Sequence, residues 1–319
     1  MANLFDMRFI INTGKGGVGK TTLSVAMAQA FARRGKRALI MQMNVPDKIG
    51  PLFGKTPITG EVPIEVAQNI WVVNPTPQEA MREYAMMILR FKAVYRTVFE
   101  NRIVRRFLRM MPGLPELVML GKAYFHESET HKNGTHVWDV VIIDAPATGH
   151  GLFLLQIPSV IDDALGDGLM AQEAKRMLAL LKDRRKSMLN IVMLAEEMPV
   201  NESVELKARV DNEIGMQVGY ALANNVFPHV FTGPEARQLE ALRDAAPQDP
   251  KGVRSILDAG LFRYERTKLQ DHYLKRAARE LKLPVIEVPF IFEAELKPEH
   301  VRQLSDAMVR AVERAEASA

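Results

Sequence analysis

The run Thr13-Gly14-Lys15-Gly16-Gly17-Val18-Gly19-Lys20-Thr21-Thr22 decides how the rest of the chain is read. From Gly14 through Gly19-Lys20-Thr21 it fits the phosphate-binding loop pattern G-x-x-x-x-G-K-[ST]. Before it, Arg8 to Asn12 reads as a short buried strand. After it, Thr21 to Arg34 reads as a helix with apolar Leu23, Val25, Met27, Ala30 and Phe31. Strand, loop and helix are the context this motif needs. The glycines let backbone N–H groups turn onto phosphate oxygens, and the helix N-terminus adds partial positive charge. Lys20 is expected to neutralise the outer phosphates and the Thr21 hydroxyl to sit on Mg²⁺.

Further strands are expected at Arg37–Met43, Asn69–Asn74, Trp138–Asp144, Leu189–Leu194, Gly219–Asn224 and Pro284–Pro289. Helical spacing dominates 78–131, where Tyr84, Ile88, Phe91, Tyr95 and Val98 draw one apolar face, and returns over 160–186. Thr232 to Leu283 is helical and charged, and Glu299 to Glu316 forms a last helix. The pattern predicts an α/β fold: a doubly wound, mostly parallel sheet in a single domain, 1–319. The helical stretches 78–131 and 159–186 are expected as insertions into it.

At 319 residues, 47% hydrophobic and 25% charged, the chain can bury a substantial core. Its net charge of +4 suggests no nucleic-acid partner. The absence of cysteine excludes disulfides, thiolate metal sites, cysteine nucleophiles and iron–sulfur clusters. The start of the chain lacks a signal-peptide pattern and no run is long and apolar enough for an integral membrane segment, so a cytoplasmic protein is expected. Eighteen methionines fit either irregular cores or adaptable hydrophobic surfaces.

Asp144 ends a hydrophobic strand, the position from which a carboxylate holds Mg²⁺ or a metal-bound water beside Thr21. Lys15 is the more diagnostic residue, since an ordinary phosphate loop needs no lysine after its first glycine. With it, the loop resembles the deviant Walker family of dimeric ATPases, in which a second lysine reaches the nucleotide, often across the dimer interface. Asp144-Ala145-Pro146-Ala147-Thr148-Gly149-His150 resembles the second switch signature of one branch, the ArsA-like and tail-anchored-protein-targeting ATPases. Ala147 stands there where the pattern has proline. The resemblance implies ATP and Mg²⁺ as cofactors and nucleotide contacts from Gly14, Lys15, Gly16, Gly17, Val18, Gly19, Lys20, Thr21 and Thr22. It further implies adenine recognition by Asn224 and a base pocket at Pro289. It places a client-binding subdomain at the helical insertions, whose Met81, Met86, Met87, Met110, Met111 and Met119 line a groove for a hydrophobic protein segment or serve internal packing.

Two departures qualify the resemblance. The missing cysteines remove the thiolates with which arsenite-pump ATPases bind trivalent arsenic, and the Cys-x-x-Cys zinc site of the eukaryotic targeting dimer. At the first switch, Asn44 replaces the aspartate that orients the attacking water. An asparagine can hydrogen-bond water but cannot take its proton. Slow hydrolysis is therefore expected, with Lys15, Lys20, Asn44 and Asp47 as the catalytic candidates; Asp47 could substitute for the lost carboxylate. A homodimer, or a heterodimer with a paralogous ATPase, follows from the resemblance. The alternatives are a hydrolysis-deficient scaffold or degenerate heterodimer subunit, and a positioning ATPase of the MinD or ParA kind. The last helix lacks large aromatics, which favours docking on the sheet over membrane anchoring.

Overall fold

The computed structural model describes residues 3–89, 114–165, 169–247 and 252–317. Eight strands form one sheet in the order β3-β4-β2-β5-β1-β6-β7-β8. They are β1 (Phe9–Gly14), β2 (Ala38–Gln42), β3 (Gly60–Ala67), β4 (Ile70–Asn74), β5 (Val140–Ala147), β6 (Ser187–Leu194), β7 (Val218–Val226) and β8 (Val285–Pro289). Every pairing is parallel except that of β3 with β4. The described helices are α1 (Lys20–Ala32), α2 (Ile49–Leu52), α3 (Pro77–Leu89), α4 (Leu114–Ser128), α5 (Thr148–Leu165), α6 (Leu169–Lys182), α7 (Glu197–Arg209), α8 (Gly233–Ala245), α9 (Val253–Leu281) and α10 (Pro298–Ala317).

Side chains alternate along each central strand, so one sheet feeds two cores. Ile10, Ile40, Ile142 and Val192 enter the cluster completed by Leu23, Met27 and Phe31 of α1 and by Val301, Leu304, Met308 and Val312 of α10. Phe9, Ile11, Leu39, Met41, Val141 and Ile143 enter the opposite cluster with α4, α5 and α6. The apolar stripe of α10 is thus buried against α1 and the sheet, as its composition implied. Glu316 reinforces this docking by accepting from the Tyr220 hydroxyl at 2.8 Å and from the Leu4 amide at 3.2 Å.

The helices expected as insertions cover a sheet face. Leu117, Leu120, Ala123, Leu155, Met177 and Leu181 are buried there. Met119 is buried and Met81 packs on the same cluster, so both serve the internal-packing alternative. Met86 and Met87 belong to α3, whereas Met110 and Met111, with Phe91, Tyr95 and Val98, lie outside the described residues.

Three local expectations change. The edge strand β3 was not visible in the sequence, because Pro63 interrupts it. Proline survives where a strand has no outer neighbour. The glycine-containing loop expected at 145–151 is replaced by strand through Ala147 and helix from Thr148. The helical stretch read from about Val160 to Lys186 holds the last turns of α5, which begins earlier and runs through Pro158, and then α6.

Candidate nucleotide site

The strands β2, β5 and β1 bring their C-terminal ends to one edge of the sheet: Gln42, the last residue of β2, pairs with Asp144, Asp144 with Asn12, and Gly14 with Ala147 at the end of β5. The phosphate loop leaves this edge at Gly14 and re-enters the fold at Lys20, the first residue of α1. Two of its glycines are required by space. A Cβ on Gly14 would lie 2.1 Å from the Val192 carbonyl oxygen of the neighbouring strand. One on Gly19, whose φ is +93°, would lie 2.1 Å from Nδ2 of Asn224. The loop is therefore pressed against β6 and β7. Gly16 and Gly17 face solvent, and Val18 is buried beneath them.

Lys20 folds back under the loop, donating to the carbonyls of Gly14 at 3.0 Å and Lys15 at 2.9 Å. Burial lowers its pKa, which the Asp144 charge partly restores. Thr21 donates its hydroxyl to Asp144 Oδ2 at 2.6 Å. Asp144 is buried, and desolvation raises its pKa to about 6 against the hydrogen bond from Thr21 and the charge of Lys20. Ser24 of α1 also stands against this carboxylate and helps hold its pKa down, but Oδ1 makes no well-formed hydrogen bond, and neither do Thr13 Oγ1 and Gln42 Oε1 on the adjacent strands. Buried oxygens normally find partners. Asp144 and Gln42 share the face of the sheet covered by α1, so their oxygens mark where a hydrated cation fits, whereas Thr13 lies on the opposite face beneath Gly151. No cluster of three His, Asp or Glu ligands exists among the described residues. A cation here would therefore complete its shell with water and ligand oxygens, as Mg²⁺ does.

Asn44 follows β2 in a left-handed conformation, φ +54°, and is exposed. Asparagine tolerates that region better than most residues. It lines a cavity of about 250 Å³ with Pro146 of β5, Pro77, Met119 and Leu154. Asp47, three residues on, is committed elsewhere. Its carboxylate accepts the amides of Ile49 at 2.8 Å, Gly50 at 2.9 Å and Ile58 at 2.8 Å, which closes the loop after β2 on itself. Asn74, at the end of β4, braces the same loop: it donates to the carbonyls of Val45 at 2.7 Å and Ile58 at 3.2 Å.

Lys15 is not free. Its ammonium meets Glu202 Oε1 of α7 at 2.5 Å. Asn224 is buried and donates to the Val18 carbonyl at 2.9 Å, so it supports the loop directly. It also lines a cavity of about 120 Å³ with Glu196, Phe227, Arg266, Gln270 and Phe290. Pro289 borders a separate space of about 630 Å³ beside α10. The structure thus brings Gly14, Lys15, Val18, Gly19, Lys20, Thr21, Asp144 and Asn224 together, and leaves Pro289 on another wall. Sequence reading missed Glu202, Glu196, Phe227 and Phe290. The last three sit within two residues of the ends of β6, β7 and β8, where ligands of parallel sheets gather.

Among the described residues, no helix is long and apolar enough to cross a membrane. The model of a protein family described as anion-transporting ATPase matches residues 7–174, just over half of the chain. ATPase BagA of Mycobacterium tuberculosis is 26% identical over 249 residues, spanning 76% of this chain and 73% of its own. The arsenical pump-driving ATPase of Acidiphilium multivorum is 25% identical over 267 residues, covering 79% of this chain but 44% of that larger protein. The phosphate loop, its paired Thr21 and Asp144 and the family match agree: the chain belongs to the ArsA-like family of anion-transporting ATPases.

Proposed function

We propose that this chain binds ATP with Mg²⁺, hydrolyses it slowly, and uses the nucleotide state to control a dimer that holds a hydrophobic protein segment. The observation that carries the reading is the Thr21–Asp144 pair beside Lys20, with one carboxylate oxygen left open. Gly14 to Thr22 cradle the phosphates, and Lys20 exchanges its loop carbonyls for phosphate oxygens. Thr21 and Asp144 hold Mg²⁺, which neutralises charge on the terminal phosphates. Asn224 borders the base from the cavity beside Phe227 and Phe290, with Pro289 behind that wall. Lys15 reaches the nucleotide of a partner subunit.

Turnover is slow because Asn44 can position a water but cannot accept its proton. Asp47 does not replace it while three backbone amides occupy its carboxylate. The cavity joining Asn44 and Pro146 to Met119 and Leu154 supports coupling between both switches and the helical face. With no cysteine, the trivalent-arsenic chemistry suggested by some relatives' names does not carry over.

Titration with a fluorescent ATP analogue tests the core of the reading. Lys20→Ala is expected to weaken binding at least about tenfold, the scale of one charge-assisted hydrogen bond to phosphate. Equal affinity in wild type and variant would overturn it. Asn44 itself favours a second reading, in which the chain is the ATP-holding but inactive half of a heterodimer. Phosphate release that appears only when a paralogous ATPase is added would select that reading. A MinD-like membrane role draws no support from α10, whose apolar stripe is buried.

A further inference from the structure

We infer that Glu202 is a positioning residue for Lys15, holding its ammonium on the home chain until a nucleotide-bearing partner takes it. The inference rests on the proposed role of Lys15 across a dimer. It begins from one contact, Lys15 Nζ to Glu202 Oε1 at 2.5 Å, between residues 187 positions apart in sequence.

Both ends of this contact stand on fixed backbone. Lys15 directly follows Gly14, which is wedged against the Val192 carbonyl of β6. Glu202 lies in the first half of α7, whose Val200, Ser203 and Leu206 are buried, so the helix cannot roll without opening a core. The side chains, by contrast, remain 38% and 32% exposed. The pair can therefore break without any backbone rearrangement, and water is already present to solvate both partners.

Two effects of Glu202 point the same way. While it holds Lys15, that ammonium is unavailable to phosphates on another chain. Once Lys15 leaves, an unpaired carboxylate stands next to the phosphate loop and opposes any anionic group approaching it. Binding of a triphosphate across the interface must overcome both. Because the pair is partly in water, the opposition is modest, about two- to fivefold, and sensitive to salt. The latch sets a threshold for assembly without blocking it.

The test is nucleotide-driven dimerisation, followed by light scattering during titration with Mg²⁺ and a non-hydrolysable ATP analogue. Glu202→Gln is expected to lower the half-maximal nucleotide concentration about two- to fivefold at about 50 mM salt, with the gain shrinking at about 0.5 M. Glu202→Asp should stay near wild type if its shorter carboxylate still meets the lysine. In a Lys15→Ala background, Glu202→Gln should have a much smaller effect, since only the repulsion of phosphate remains. An unchanged midpoint in Glu202→Gln, or an equal shift with and without Lys15, overturns the inference while leaving the dimer reading intact. A wild-type protein that binds the nucleotide and stays monomeric overturns the dimer reading, and the latch with it.

Discussion

Asp144→Asn should make the nucleotide-free protein more stable at neutral pH. The wild-type carboxyl is pushed up to about 6 in the folded protein from its ordinary 3.8, because burial disfavours its charge. The folded state therefore keeps a proton that the unfolded chain releases, and stability falls as pH rises from about 4 to about 6. Above that window the fold carries a buried charge. Roughly two pK units at 1.36 kcal/mol each put the penalty at about 3 kcal/mol. Asparagine has no charge to bury and can still accept the Thr21 hydroxyl. The variant should gain up to about 3 kcal/mol at pH 7.5, or about 4 °C in Tm for a chain of this length, and nothing at pH 4. Denaturant melts at both pH values, in magnesium-free buffer, supply the measurement. Saturating Mg²⁺ and ATP at about 100 times Kd should reverse the order, stabilising wild type by about 2.7 kcal/mol and the variant far less. A variant no more stable than wild type at pH 7.5, or equally shifted at both pH values, would refute the reasoning.

Other expectations follow from single contacts. Gly19→Ala places a methyl group 2.1 Å from Asn224 Nδ2 at a φ of +93° and should weaken ATP binding at least about tenfold by calorimetry. Asn44→Asp should raise phosphate release by about tenfold or more, the scale of a general base; an unchanged rate from an already brisk wild type would remove Asn44 as the reason for slow turnover. Asp47→Ala frees three amides at once and should destabilise the protein by about 1–3 kcal/mol in urea melts.

The parts of this fold that were legible in sequence are those whose information is local. The phosphate loop, the buried strand before it and the Asp144 strand each announce themselves within about ten residues. Their meeting at Thr21 and Asp144 follows from parallel-sheet topology alone. What stayed hidden depends on distant partners. Nothing near Lys15 marks Glu202, and nothing near Asp47 shows that its carboxylate closes on the amide of Ile58. Strand β3 was hidden for another reason: Val62, Ile64 and Val66 alternate with Glu61, Pro63 and Glu65, but the proline argues against a strand unless the strand is known to lie at an edge. The described helices α3, α4 and α6 were legible as helices, but their apolar faces do not say whether they meet a client or the sheet. For Met119 and Met177, it is the sheet.

Asn74 binds Val45 and Ile58 from the end of β4, three residues before α3 begins, and the capping box of Thr76 and Glu79 fixes the start of that helix. The loop after β2 and α3 are thus both anchored at the end of β4, within three residues of each other. Anchors this close transmit force in both directions. If nucleotide shifts the loop and so tilts α3, then a load pressed onto α3 shifts the loop and alters nucleotide affinity by the same factor. Under the proposed function, a protein segment held at α3 is then an input to the nucleotide site as much as its output.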